Sequence, residues 1–141
     1  MKSIITTGIV ALLALGASEA EAQQNETWRL TQVNGAALPA VTDTDDDGCR
    51  EEVTAGTLTL ESDGRWTLEV REREVCASNT EEETEKEDGR YSVQADAIAF
   101  TDDDGDTEDG DDVDDIAHGA RAGSTLTVRT GGGETTLVFQ R

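Results

Sequence analysis

Two aspartate-rich segments have the carboxylate spacing of calcium loops. The first, Asp43–Gly48, follows the pattern D-x-D-x-D-G, and the second, Asp102–Asp106, has a shorter version of it. Oxygen ligands at alternate positions wrap a hard cation, and the glycine permits the sharp turn. The twelfth loop position, usually Glu, is Thr54 in the first segment and Val113 in the second. The segments therefore indicate weak calcium binding as one alternative, and the sequence predicts no other cofactor. The candidate ligands are Asp43, Asp45, Asp47, Asp102, Asp104 and Asp106.

The residues that most often carry out catalysis are sparse or lack their usual setting. The chain has one histidine, His118, and no G-x-S-x-G nucleophile elbow. The three glycines at 131–133 precede a strand pattern rather than a helix, so they indicate a hairpin turn and not a phosphate loop. Carboxylate pairs are too abundant to indicate acid–base chemistry. The sequence therefore predicts a protein that is not an enzyme.

The composition is strongly acidic, with 32 Asp and Glu against 11 Lys and Arg and a formal net charge of −21. Like charges repel, so the chain is not expected to bind nucleic acid or an anionic membrane surface. Three interpretations remain open. Adaptation of the surface to high salt is favoured because charge runs usually mark solvated faces. The others are divalent-cation binding and recognition of a basic protein partner.

The first 22 residues have the features of a signal peptide. Lys2 provides a positive start, and the apolar stretch that follows is too short for a membrane span. Small residues at 20 and 22 predict cleavage after Ala22, with Ala20 as the alternative. No second stretch of the sequence is apolar enough to span a bilayer. We expect a secreted or periplasmic protein with one domain, residues 23–141.

The chain has two cysteines, Cys49 and Cys76. Export places them in an oxidising compartment, and their number is even. No C-x-x-C motif points to a redox or metal role. We predict a Cys49–Cys76 disulfide.

Apolar side chains recur two residues apart in short runs separated by Gly and Asp turns. This period is that of strands with one dry and one wet face. Short links predict an up-and-down order, and eight such strands close into an all-β antiparallel barrel with little helix. The polar segment Ser78–Asp88 is predicted to begin as a loop, with the fourth strand starting as early as Glu83. The predicted strands are Thr27–Val33, Val53–Glu61 (or from Glu52), Arg65–Glu72, Gly89–Gln94, Ala97–Thr101, Val113–Ala120, Thr125–Thr130 and Glu134–Gln140.

The order of motifs resembles the small bacterial lipocalin-like proteins of the calycin group. Three motifs carry the resemblance. The first runs from Trp28 to Pro39 and has the form W-x-L-x-x-V-N-G-x-x-L-P. The second, G-x-L-x-L-x-x-D-G-x-W, ends at Trp66, and the third is the terminal L-V-F-x-R. The resemblance covers nearly the whole chain after the leader. It implies that Trp28 packs near the barrel base and that Arg141 lies across it.

An eight-stranded barrel either fills its interior with side chains or encloses one small ligand. Both alternatives remain open on the sequence, and the short strands favour a filled interior. The alternative is a cavity for a small apolar molecule, lined by Trp66, Tyr91 and Phe100. We expect a monomeric binding or structural module.

Overall fold

The computed structural model describes residues 24–102, 117–130 and 134–141, and every regular element within them is a β-strand. The predicted leader therefore lies outside the described residues. In the described ranges, no helix has the length and apolar character needed to cross a membrane. The strands are β1 Glu26–Val33, β2 Ala36–Ala37, β3 Ala40–Thr44, β4 Arg50–Leu60, β5 Arg65–Val75, β6 Thr80–Gln94, β7 Ala97–Asp102, β8 Ala117–Ala122, β9 Thr125–Thr130 and β10 Thr135–Gln140.

Eight of these strands form a closed antiparallel barrel, as the sequence predicts. Each strand from β4 to β10 pairs with the next one along the chain. The ring closes through β1, which pairs with β10 on one side and with β4 on the other. Trp28 of β1 thus lies opposite Leu58 of β4, and Leu30 lies opposite Phe139 of β10. Closure leaves the eight-stranded ring without an edge at this seam.

The connection between the first two barrel strands contains regular structure that the sequence did not predict. The short strands β2 and β3 flank the ring, β2 against β1 and β3 against β4. The turn into β2 uses Asn34 and Gly35, both with positive φ (49° and 82°). This pair is a common solution for a two-residue hairpin turn.

The prediction that the polar segment after residue 78 begins as a loop is wrong, because β6 starts at Thr80. All eleven residues of β5 pair with β6. On the outer face this register sets Lys86 opposite Glu69 and Glu82 opposite Arg73. Opposite charges directly across a ladder stabilise it, so pairing with β5 overrides the low strand propensity of the acidic residues.

A β-bulge in β4 changes which residues face the barrel interior. The register with β5 shifts between Val53 and Ala55, and the Thr54 hydroxyl donates to the Arg71 carbonyl at 3.1 Å. An extra residue reverses the alternation of faces beyond it. Val53 consequently lies opposite Glu72, whereas Glu52 lies opposite Arg73 on the outside.

The core is a single cluster inside the barrel. Strands β1, β4, β7, β9 and β10 each contribute at least two residues to it, and β5 contributes one. Its members are apolar, buried and mostly two apart along their strands, as an inward-facing row requires. They are Trp28, Leu30, Val33, Ala40, Val53, Leu58, Leu60, Trp66, Ile98, Phe100, Leu126, Val128, Leu137 and Phe139.

Candidate functional site

The barrel interior contains a cavity of about 580 Å³ that is partly open to solvent, a volume in the range of small-molecule sites. The fully buried layer of Trp28, Leu60, Ile98 and Leu126 does not line it. The cavity therefore occupies the part of the barrel beyond that layer, and we call the end holding Trp28 the closed end. The cavity is lined by Leu30, Val33, Thr42, Val53, Leu58, Trp66, Leu68, Val70, Glu72, Glu85, Glu87, Phe100, Ala117, Val128, Thr130, Thr135, Leu137 and Phe139.

Two of the aromatic residues named from the sequence, Trp66 and Phe100, form part of the cavity wall. Their rings meet edge to face with centroids 5.8 Å apart. The Trp66 indole N–H donates to the Thr101 carbonyl at 3.1 Å, which satisfies its only polar group. Gly89 makes this arrangement fit, because a Cβ at that position would collide with the Thr101 carbonyl oxygen and lie 2.8 Å from the Trp66 indole nitrogen.

The third aromatic residue named from the sequence, Tyr91, lies away from the cavity and is not among its lining residues. Its hydroxyl donates to the Glu61 carbonyl at 2.6 Å, and its backbone N–H donates to the Gly64 carbonyl. Burial, followed by the negative charge of Glu26, raises the pKa of the Tyr91 phenol. Tyr91 thus holds β6 to the turn between β4 and β5.

The closed end is built around Trp28, which is completely buried. The Arg141 guanidinium lies 4.8 Å from the centroid of the Trp28 ring, and that of Arg121 lies 5.8 Å away. Glu26 joins all three, accepting from the Trp28 indole at 3.2 Å, from Arg121 at 2.7 Å and from Arg141 at 2.9 Å. Cations over an indole face are attracted by its quadrupole, so this cluster fixes β1, β8 and the chain end together.

Sequence reasoning missed Glu26 and Arg121 in this cluster. Glu26 is one of 32 acidic residues, and nothing in its local pattern marks it. Its position two residues before Trp28 puts both side chains on one face of β1, which was the available signal. Arg121 reaches the cluster only because β8 takes its place in the ring.

Three glutamates are among the residues that line the cavity. Glu72 of β5 alternates with Val70 and Leu68 along one strand face, and Glu85 and Glu87 follow the inner face of β6. Among the residues that the structure describes, those lining the cavity include no Lys, Arg or His. We call Glu72, Glu85 and Glu87 the inner carboxylates.

Glu72 differs from ordinary surface carboxylates in its burial and its neighbours. It is half-buried, and the charged groups facing it are Glu51 of β4 and Glu83 and Glu85 of β6. Burial, and then repulsion from these carboxylates, raises the pKa of Glu72. Its ionised form is therefore held in an unfavourable environment at neutral pH.

Glu52, on the outer face, has the opposite environment. Only 7% of its surface is exposed, yet both its oxygens meet guanidinium groups, those of Arg73 and Arg50. The hydrogen bond from Arg73 lowers the pKa of Glu52 despite its burial. The fold thus provides a buried carboxylate of the outer face with cations, whereas burial and neighbouring carboxylates disfavour the charged form of Glu72.

We expect Glu72→Gln to raise the melting temperature at pH 7 by roughly a few degrees. The folded pKa of Glu72 lies above its ordinary value of 4.5, so the native state binds its proton more tightly than the unfolded chain. Stability from this group is present below pH 4.5 and is lost as the pH rises through the folded pKa. The gain in the variant should therefore disappear below pH 4.5. Thermal unfolding followed by circular dichroism between pH 4 and 8 measures it.

The control for this prediction is Glu69→Gln, which removes the same charge from the exposed outer face of β5. Glu69 lies opposite Lys86, so its removal should not stabilise the fold. An equal gain in both variants would attribute the effect to net charge and contradict the local explanation.

The first calcium-like segment forms the turn between β3 and β4. The Asp45 carboxylate accepts backbone N–H groups of Asp47 and Cys49 at 3.0 and 2.9 Å, and that of Asp43 accepts from Thr44 at 2.7 Å. The bond from Asp47 to Asp45 is that of an Asx turn. Of the second segment, Asp104 and Asp106 lie outside the described residues, and Asp102 is the last residue of β7. Calcium binding stays a prediction.

The predicted disulfide between Cys49 and Cys76 is confirmed. These residues and Glu74 form the one group of three metal-ligating side chains, within the described ranges, whose ligand atoms lie within 4.8 Å of one another. Both sulfur atoms are used in the covalent bond, so the group has no thiolate to offer a metal. His118, in β8, is exposed.

No protein-family model, curated protein or solved structure matches the chain. The fold and the geometry of the cavity are therefore the basis for any functional assignment.

Proposed function

We propose that the protein is an exported, monomeric, lipocalin-like binding protein that holds one small apolar molecule inside its barrel and catalyses no reaction. The single observation that supports this is the cavity of about 580 Å³ in the barrel interior. A barrel serving only as a scaffold gains stability from a filled interior, since empty apolar space forfeits packing contacts. Retention of a cavity of this size favours occupancy by a ligand.

The nature of the wall supports an apolar ligand. Apart from the inner carboxylates and three threonines, the lining residues are aliphatic or aromatic. Trp66 and Phe100 present ring surfaces to the cavity. The single hydrogen-bond donor of these two side chains, the Trp66 N–H, already donates to the Thr101 carbonyl. Burial of hydrocarbon against such a wall is favourable, and a ligand needs to form few hydrogen bonds there.

Further features agree with the lipocalin-like part of the proposal. Arg141 lies over Trp28 at the closed end, the arrangement that the resemblance implied for these two residues. A disulfide is compatible with an extracellular or periplasmic location. A structural module with an unoccupied interior is the alternative to a binding protein.

The test is binding of Nile red, a neutral fluorophore that brightens in apolar surroundings, to the wild type and to cavity-filling variants. Val70→Trp projects an indole into the cavity from β5, opposite Gly56 of β4. We expect it to weaken binding by at least about tenfold. The matched control is Thr67→Trp, three residues away on the outer face of β5, which should bind within about twofold of the wild type.

A second variant protects the test against misfolding. Ala117→Leu adds volume from β8, where Ala117 lies opposite Phe100 across the ladder. Circular dichroism of each variant establishes that the barrel is intact. Absence of Nile red binding to the wild type, or unchanged binding in both folded cavity variants, would refute the proposed function.

A further inference from the structure

We infer that one edge of β6 is a docking site for a partner protein, which adds an extended segment with basic residues at alternate positions as a further strand of the sheet. The docking site is the stretch Thr80–Lys86 on the side of β6 that faces away from β5, and we call it the open edge. The inference concerns the wall of the barrel and does not depend on a ligand in the cavity.

The open edge exists because β6 has neighbours of unequal length on its two sides. It pairs with β5 from Thr80 to Arg90, whereas β7 covers only Gly89–Gln94. Among the strands that the structure describes, none pairs with the open edge on the side away from β5. Every residue of the open edge is exposed. Backbone N–H and C=O groups along such an edge are the template that an added strand uses.

The backbone of the open edge has the regular shape that strand addition requires. The ladder between β5 and β6 runs from end to end without a register shift, so no bulge twists this stretch away from a partner. The open edge also contains no proline, which would interrupt a new ladder. By contrast, β3, the strand at one end of the sheet order, is only five residues long and has a register shift between Val41 and Asp43. The open edge of β6 is thus the better template of the two.

The side chains of the open edge specify the charge pattern of the partner. Glu81, Glu83 and Glu85 alternate along β6 and so project from one face, the inner one, since Glu85 lines the cavity. The outer face carries charges of both signs, Glu82 and Lys86. Side chains of an added strand lie directly beside those of its neighbour on the same face. A segment with Lys or Arg at every second position therefore sets one cation beside each of the three inner glutamates.

The present neighbours of these three glutamates are uncharged or acidic. Glu81 accepts a hydrogen bond from the Asn79 side chain at 2.9 Å, and the ion pairs within the described part of the chain involve none of the three. Across the ladder with β5, Glu81 lies opposite Glu74. In the same ladder, Glu83 lies opposite Glu72. Like charges directly across a ladder destabilise it, so a cationic strand on the other side of β6 is favourable.

Charge also discriminates between the possible occupants of the open edge. A second copy of the chain would bring its own acidic edge beside this one, and the net charge of −21 opposes its approach. The segment of this chain that follows β7, residues 103–116, is rich in Asp and contains no Lys or Arg. Neither complements the open edge, whereas a basic segment of a different protein does.

The experiment titrates three peptides into the isotopically labelled protein and follows binding by NMR at pH 7 in about 0.15 M NaCl. The first peptide, TKTKTKT, presents all its lysines on one face of a strand. The second, TTKKKTT, has the same composition but divides its lysines between the two faces. The third repeats the first sequence with every backbone nitrogen methylated, which removes the donors of a ladder. We expect the first to bind at least about fivefold more tightly than the second and at least about tenfold more tightly than the third.

Amide exchange and two double variants locate the bound peptide. Alternate N–H groups of the open edge point away from β5, and TKTKTKT should slow their exchange by at least about tenfold. Glu83→Gln with Glu85→Gln removes two of the inner glutamates and should weaken binding by at least about threefold. Glu69→Gln with Glu82→Gln removes the same charge from the outer faces of β5 and β6, and this control should bind within about twofold of the wild type.

Four results would overturn the inference. Equal affinities for the methylated and unmethylated peptides would attribute binding to charge alone, and failure of TKTKTKT to bind would remove the docking site. Slow exchange of the outward N–H groups in the free monomer would show that the chain itself covers the edge. Slowing that depends on protein concentration would assign the edge to a second copy. None of these results affects Nile red binding, so the proposed function is tested separately.

Discussion

Replacing Trp28 by Ala is expected to cost about 3–5 kcal/mol of folding free energy, the range for loss of a large aromatic side chain from a core. Trp28 is fully buried and joins β1 to β4 in the seam that closes the ring. Its removal also deprives Arg141 and Arg121 of the ring beneath them. Single-domain proteins are stable by about 5–15 kcal/mol, so this one substitution removes a large share. Urea denaturation followed by circular dichroism measures the loss.

Trp28→Phe is the matched variant because it retains an aromatic face but has a single ring and lacks the indole N–H that donates to Glu26. We expect a smaller loss than for Ala, since most of the buried surface remains. A Trp28→Ala protein with the urea midpoint of the wild type would contradict the central role of the closed end.

Removing the disulfide by Cys49→Ser with Cys76→Ser is expected to cost about 3.5 kcal/mol in the chain-entropy treatment of a loop of this size. The two cysteines are 27 residues apart and connect the start of β4 to the end of β5. They adjoin the outermost pair of that ladder, Arg50 and Val75. Without the bond, the unfolded chain gains conformations and this end of the ladder loses its covalent tie.

The urea midpoint of the double variant is compared with two midpoints of the wild type, one measured with a phosphine reductant and one without it. The variant and the reduced wild type should agree, which separates loss of the bond from any effect of the serine hydroxyls. Reduced and oxidised wild type with the same midpoint would show that the disulfide does not limit stability.

The two proposed properties of the barrel, a stable closed end and an open interior, depend on different residues. Packing at Trp28, Leu60 and Leu126 is tight and uses apolar side chains from β1, β4 and β9. On β5 and β6, glutamates occupy some of the inward positions and line the cavity. The fully buried layer therefore contributes packing without lining the cavity.

Some of the candidate site was accessible from the sequence, and some was not. Alternation identified Trp66 and Phe100 as inward-facing, and both line the cavity. The same alternation placed Tyr91 inward without indicating its depth along the axis, and its hydroxyl reaches Glu61 instead. Depth depends on the stagger between strands, which a single strand pattern does not contain.

The sequence alone determined the fold class, the closed up-and-down order and the disulfide. These follow from local signals: period-two apolar residues, short turns such as the one at Gly64 with φ of 88°, and an even number of cysteines. The strand and turn signals lie within a few residues of the structures that they specify, whereas the disulfide follows from the cysteine count and the predicted export of the chain.

Only the tertiary structure decided the length of β6, the cavity and the direction of its glutamates. The stretch Glu81–Glu87 has nearly the same polarity on both faces, so its sequence carries no amphipathic signal. Its direction is set by the register with β5, which places Glu85 beside Val70 and Lys86 beside Glu69. Whether the interior is filled depends on the combined volume of the inward side chains of all eight strands. The sequence pattern of a single strand does not contain that volume.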